Sequence, residues 1–168
     1  LAGVVRAHVA AKQHNIQLIV GTRLDLEDAP SLLCLPTDRA AYGRLSQLLT
    51  LGKRRAEKGS CQLYLEDLLE GEIFKAGKGQ IIIALPPDEP PDQGYINHLS
   101  NLKENFKKKL YLAVKHNYYG DDYQRIETLS QLAKGLFIPL VAVNDVHAHA
   151  PERRVLQDVL TCIREHCT

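Results

Sequence analysis

Apolar positions along the chain fall into short runs separated by longer stretches that alternate apolar and polar residues at helical spacing. Val4, Val5, His8, Val9 and Lys12 mark a helix over residues 1–15, with alanines between them and Asn15 as its stop. The run Gln17-Leu18-Ile19-Val20-Gly21 reads as a buried strand. Residues 32–35 read as a second strand closed by Pro36, and Thr37 or Asp38 is placed to cap the next helix by accepting its orphan N–H groups. That helix sets Tyr42, Leu45, Leu48 and Leu49 on one face and ends in Lys53-Arg54-Arg55, where positive charge suits a helix C-terminus.

A short helical turn over 64–69 precedes a third strand over 81–85. Residues 86–91, Pro-Pro-Asp-Glu-Pro-Pro, cannot lie inside either regular element, because proline lacks the N–H donor and clashes within a helix. They predict a stiff loop into a helix over 93–109, then a fourth strand over 110–114. Next comes a helix over 121–134 with Ile126, Leu129 and Leu132 inward, ending at Gly135. A fifth strand spans 139–143. A final helix begins at Pro151, with Val155, Leu156, Val159, Leu160 and Ile163 on its apolar face. Helix alternates with strand, so the expected class is α/β, a mostly parallel sheet or barrel in a single domain covering residues 1–168.

Composition narrows the function classes. Apolar residues make up 45% of the 168, which fits a globular core and excludes wholesale disorder. Net charge is +1, from 21 basic and 20 acidic residues, so no strongly basic field grips nucleic acid without sequence preference. No apolar run is long enough to span a membrane, and no signal peptide is visible at Leu1. Cys34, Cys61, Cys162 and Cys167 form no C-x-x-C pair, so ordinary reduced thiols and a cytoplasmic location are expected. The chain contains no methionine, and the expectation drawn is that Leu1 is not a natural start.

The sharpest chemical feature is Asp145-Val146-His147-Ala148-His149, directly after the fifth strand. Alternate side chains of extended backbone share a face, so Asp145, His147 and His149 would point the same way. Imidazole nitrogen with carboxylate oxygen suits Zn²⁺, Mn²⁺ or Fe, and strand carboxyl ends are where α/β folds gather ligands. The bland alternative is a loop in which Asp145 and His149 cap the next helix and His147 is incidental. His116 follows the fourth strand and could reach the same rim, although a surface role explains it as well. Lys53, Arg54 and Arg55, and likewise Lys107-Lys108-Lys109, read as solvated helix ends, with phosphate-backbone contact as the functional alternative. Nucleotide-loop and serine-hydrolase motifs are absent.

Several segments in combination resemble the PHP (polymerase and histidinol phosphatase) domain of bacterial C-family DNA polymerases. They are Leu1-Ala2-Gly3-Val4-Val5-Arg6-Ala7-His8, Leu18-Ile19-Val20-Gly21, Leu35-Pro36-Thr37-Asp38-Arg39 and Pro139-Leu140-Val141-Ala142-Val143-Asn144-Asp145-Val146-His147. Arg153-Arg154-Val155-Leu156-Gln157-Asp158 and Gly52-Lys53-Arg54-Arg55-Ala56-Glu57 narrow the resemblance to the error-prone branch, which is polymerase III alpha-subunit-like. The resemblance covers essentially the whole chain.

It implies a distorted seven-stranded α/β barrel, here truncated to its last five strands, with an H-x-H pair about forty residues upstream of Leu1. It implies exposed sheet edges that need covering, by pairing between copies or by other polymerase domains or mutagenesis subunits. It implies DNA as a partner through the parent polymerase, and Mg²⁺ held in a polymerase domain outside these residues. The fragment itself would then be architectural, with no catalytic residue of its own. One position departs from the pattern. The family usually carries a glutamate two residues after the glycine of Gly21-Thr22-Arg23, and Arg23 has no lone pair to give a metal. That leaves a single incomplete site at Asp145, His147 and His149. Metal-dependent phosphoesterase or proofreading-type hydrolysis, and a pure binding module, are the rival readings.

Overall fold

In the computed structural model, residues 3–70, 78–116, 118, 120–144, 146 and 150–167 are described. Helix α1, Val4–Gln13, is built on alanine-rich sequence of high intrinsic helix propensity. It ends as expected: Asn15 takes a left-handed backbone (φ 52°), and the Ile16 N–H donates to the Ala11 carbonyl at 2.9 Å.

The run over 17–21 is not a strand. Strand β1 forms one step later, at Thr22–Leu24, and Ile19 is 60% exposed. Gly21 leads into it where a Cβ would stand 2.3 Å from Leu35 Cδ2 and 2.9 Å from the Cys34 carbonyl oxygen, so only glycine permits this approach to the next strand. That strand is β2, Leu32–Pro36.

Helix α2, Arg39–Arg55, starts on Asp38, whose carboxylate accepts from the Ala41 N–H at 2.7 Å. The short α3, Leu65–Leu69, and strand β3, Gln80–Ala84, follow. Helix α4, Gln93–Phe106, is capped in the same way by Asp92 through the Tyr95 N–H at 2.7 Å. The expected helical lysines 107–109 instead form a separate 3₁₀ turn, entered through a positive φ of 48° at Lys107. Strand β4 (Leu110–Val114), helix α5 (Asp122–Gly135), strand β5 (Leu140–Ala142), a 3₁₀ turn (Pro151–Arg153) and helix α6 (Arg154–Glu165) complete the order.

The five strands form one sheet in the order β1-β2-β3-β4-β5. The expectation of a mostly parallel sheet is corrected: β1–β2 and β2–β3 are antiparallel, and only β3–β4 and β4–β5 are parallel. Two features of the path explain this. A short connection joins β1 to β2 without a crossover helix. After β2, the chain runs back through α2 and then returns, so β3 starts beside the end that β2 left, with Pro36 opposite Gln80.

One face of the sheet carries Leu32, Cys34, Ile82, Ala84, Leu110 and Leu112, all buried against Leu45, Leu48, Leu99, Leu102, Phe106 and Leu129 of the helices. Inside that layer the buried Gln80 is satisfied on both ends. Its amide donates to the Ala41 carbonyl at 2.8 Å, and its oxygen accepts from the Cys34 thiol at 3.3 Å. The other face is apolar too, with Leu33, Leu35, Ile81, Ile83, Tyr111 and Ala113. Both faces of these strands therefore call for cover, as continuous apolar runs do.

Candidate functional site

A cleft of about 790 Å³ opens where β3, β4 and β5 end, against the start of α4 and the exposed side chain of Arg23 in β1. Leu85, Lys115 and Val143, each just past the carboxyl end of its strand, line it. This is the position at which open α/β sheets present functional groups.

Several of its polar side chains are engaged with neighbouring groups. Arg23 Nε lies 2.6 Å from Asp25 Oδ1, and the Ser31 hydroxyl donates to that same oxygen at 2.6 Å. Arg23 Nη2 also donates to Ser31 Oγ at 3.3 Å, closing a triangle. Burial acts to raise the Asp25 pKa, but the bonds from Ser31 and Arg23 outweigh it and hold the carboxyl below its usual range. Asp28 accepts from the Leu65 N–H at 2.8 Å, and Asp92 caps α4. Lys115 Nζ sits 4.0 Å from Asp88.

The roof of the cleft is the proline loop. Arg125 of α5 donates to the carbonyls of Pro87 and Asp88, which fixes that loop onto the helix. Beneath it the Tyr95 hydroxyl is buried without a hydrogen-bond partner among the described residues, and burial pushes its pKa up, so it stays protonated. Cys34 is pushed up to about 12 by burial and is no nucleophile.

The predicted metal ligands Asp145, His147 and His149 lie outside the described residues. Val143, two positions before Asp145, donates its N–H to the Val114 carbonyl at 2.9 Å and lines the cleft. Among the described residues, no three His, Cys, Asp or Glu side chains come together as a metal-holding set. His116 sits 3.8 Å from the buried Asp122 and packs edgewise on Tyr118, with ring centroids 4.5 Å apart.

Lys53, Arg54 and Arg55 all end α2 and are exposed. Arg55 already has a bidentate carboxylate partner: its two guanidinium nitrogens reach Asp67 at 2.5 and 2.9 Å, and its head lies 6.0 Å from the Tyr64 ring centre. Asp67 in turn accepts from the Tyr64 N–H at 3.0 Å, as the third residue of a helix does in a capping box. Its pKa is lowered: burial opposes, but the bonds from Arg55 and the Tyr64 backbone prevail. Sequence reasoning missed the Arg23–Asp25–Ser31 triangle and the Arg125 clamp. The only available signals were Arg23 in an unexpected place and a proline run that had to be anchored somewhere.

A mixed five-stranded sheet with helices over one face and a cleft at its strand ends defines an α/β protein. No family profile matches the chain. Individual relatives are informative. The chain is 46% identical over 168 residues to a protein of Caulobacter vibrioides named error-prone DNA polymerase, covering 99% of this chain. It is 43% identical over its whole length to error-prone DNA polymerase 1 of Agrobacterium fabrum, and 42% identical over 166 residues to the error-prone DNA polymerase of Pseudomonas aeruginosa. The chain is therefore homologous, along nearly all its length, to one segment of error-prone DNA polymerases. It spans about 15% of the length of these relatives. No helix among the described residues is long and apolar enough to cross a membrane.

Proposed function

We propose that the chain forms part of the PHP domain of an error-prone DNA polymerase that extends primers across damaged template, and that its own part is architectural. The observation that carries this reading is the 46% identity over nearly the whole chain to the Caulobacter enzyme. The structural bonds already made by two of the carboxylates that line the cleft support the architectural half. Asp28 accepts from the Leu65 N–H and Asp92 caps α4, while the other lining carboxylates, Asp88 and Glu89, stand exposed on the proline loop. The carboxylates that would hold Mg²⁺ for nucleotidyl transfer then belong to a domain outside this segment. Damage-induced mutagenesis, a cytoplasmic location and assembly with other polymerase domains or mutagenesis subunits follow from the same reading, as does completion of a barrel from the open sheet.

The proposal includes no multinuclear metal centre, since no three possible ligands converge among the described residues. Arg23 and Lys115 face the cleft, and neither a guanidinium nor an ammonium has a lone pair to donate. A single Zn²⁺, Mn²⁺ or Fe ion on Asp145, His147 and His149 remains part of the proposal, as does DNA phosphate contact by Lys53 and Arg54.

The test is a chimaera in which this chain replaces the matched segment of the Caulobacter enzyme. Primer extension across a damaged template is expected from the chimaera and none from the 168-residue chain alone. A chimaera that folds but extends nothing, or extension by the chain alone, would overturn the reading. Metal analysis of the purified chain, before and after Asp145→Ala with His147→Ala, decides the metal: stoichiometric ion lost on substitution supports it, and no bound ion removes it.

A further inference from the structure

Helix α6 carries Val155, Leu156, Val159, Leu160 and Ile163 on one stripe, at the i, i+4, i+8 spacing of a helix built to bury a face. Each is between 50% and 70% exposed, and no residue of the helix is buried. Among the described residues α6 packs chiefly against the 3₁₀ turn that precedes it. An apolar stripe of this size is costly to leave in water, so it has a partner.

The chemistry of the rest of the helix says what kind. From Glu152 to Glu165 there are three arginines and three acids, and no aromatic residue. Arg154 pairs with Asp158 at 3.9 Å and Arg164 with Glu165 at 2.8 Å, so positive charge is locally neutralised. A helix that binds anionic lipid or nucleic-acid phosphate carries an unpaired basic face, and lipid binding adds aromatic anchors. A balanced polar face around an aliphatic stripe suits packing on an apolar protein surface. The relatives supply such a partner in length, since the matched segment is only 15% of their chains.

We propose that the α6 stripe docks against an apolar surface formed by the part of the longer polymerase chain outside this segment. This rests on the polymerase reading above. The test is hydrogen exchange on α6 amides, measured in the 168-residue chain and in the Caulobacter chimaera, alongside primer extension. Exchange at least about tenfold slower in the chimaera is expected, since docking must suppress local opening of the helix. Val159→Glu with Ile163→Glu is expected to abolish that protection, and Arg164→Gln to leave it.

Equal exchange in both proteins overturns the inference. So does a chain that sediments alone as a dimer split by the double substitution, because the occupant is then a second copy. The comparison of unsubstituted proteins decides even if the double variant fails to fold. A chimaera with α6 protected but no primer extension counts against the polymerase reading and supports docking. Primer extension with α6 unprotected overturns docking alone.

Discussion

Helices α4 and α6 are both amphipathic, yet they meet opposite fates. Tyr95, Leu99, Leu102 and Phe106 of α4 are all at least 95% buried against β3 and β4, whereas the equivalent stripe of α6 lies open. The pattern is of the same kind in both. What differs is whether a sheet face stands opposite. Amphipathicity thus announces that a face needs a partner, and the partner need not belong to the same stretch of chain.

The contrast breaks most visibly on substitution in the core. Leu99→Ala, at a fully buried position, is expected to cost about 3 kcal/mol in urea unfolding, from lost transfer energy and the cavity left behind. The same measurement on Gly52→Ala should show about 2 kcal/mol lost. Its new Cβ would stand 2.7 Å from Leu63 Cγ and 2.8 Å from Cys61 Sγ. Gly43→Ala, in the same helix with open space around it, is the control and should stabilise by about 0.7 kcal/mol.

Asp67→Ala should cost about 1 kcal/mol by removing the helix-start contact of α3 and the anchor for Arg55. Here acid adds a second signature. The folded-state pKa of Asp67 lies below the ordinary 3.8, so its stabilisation is present above that value and is lost as pH falls through the lower, folded one. The gap between wild type and Asp67→Ala should therefore close on acidification below 3.8 and stay constant above about pH 5, by the span over which an aspartate titrates. The smallest effect belongs to α6. Leu160→Ala in the 168-residue chain should change stability by less than about 0.5 kcal/mol, because its side chain is already half in water. A loss comparable to that of Leu99→Ala would erase the distinction between the two helices.

Much of this arrangement was legible in the sequence because its signals are local. Asp38 and Asp92 sit where a helix needs an acceptor, and Asn15 where one must stop. The apolar runs at 32–35 and 81–85 fall on strands β2 and β3, each within one residue at either end. The first strand was misplaced because Leu18-Ile19-Val20 is as apolar as a core strand, and only the close approach of Gly21 to β2 shows where pairing begins. Strand direction was misjudged for a related reason: it depends on the path through α2 and α3, and periodicity carries no record of a path. In the cleft, the long-range partners Arg125 and Pro87 stand 38 positions apart, a separation over which a single sequence offers no spacing rule. The candidate metal ligands Asp145, His147 and His149 fall outside the described residues.

The antiparallel pairing of β2 with β3 has a kinetic consequence. Cys34 and Gln80, which meet through the thiol and the side-chain amide, are 46 positions apart. Bringing them together closes a longer loop than the pairings β1–β2, β3–β4 or β4–β5 do, so it carries the largest cost in chain entropy of the four. Helices α2 and α4 draw on local contacts and can form early. The other three strand pairings can form without the β2–β3 encounter, which is therefore the step of sheet assembly expected to be slowest.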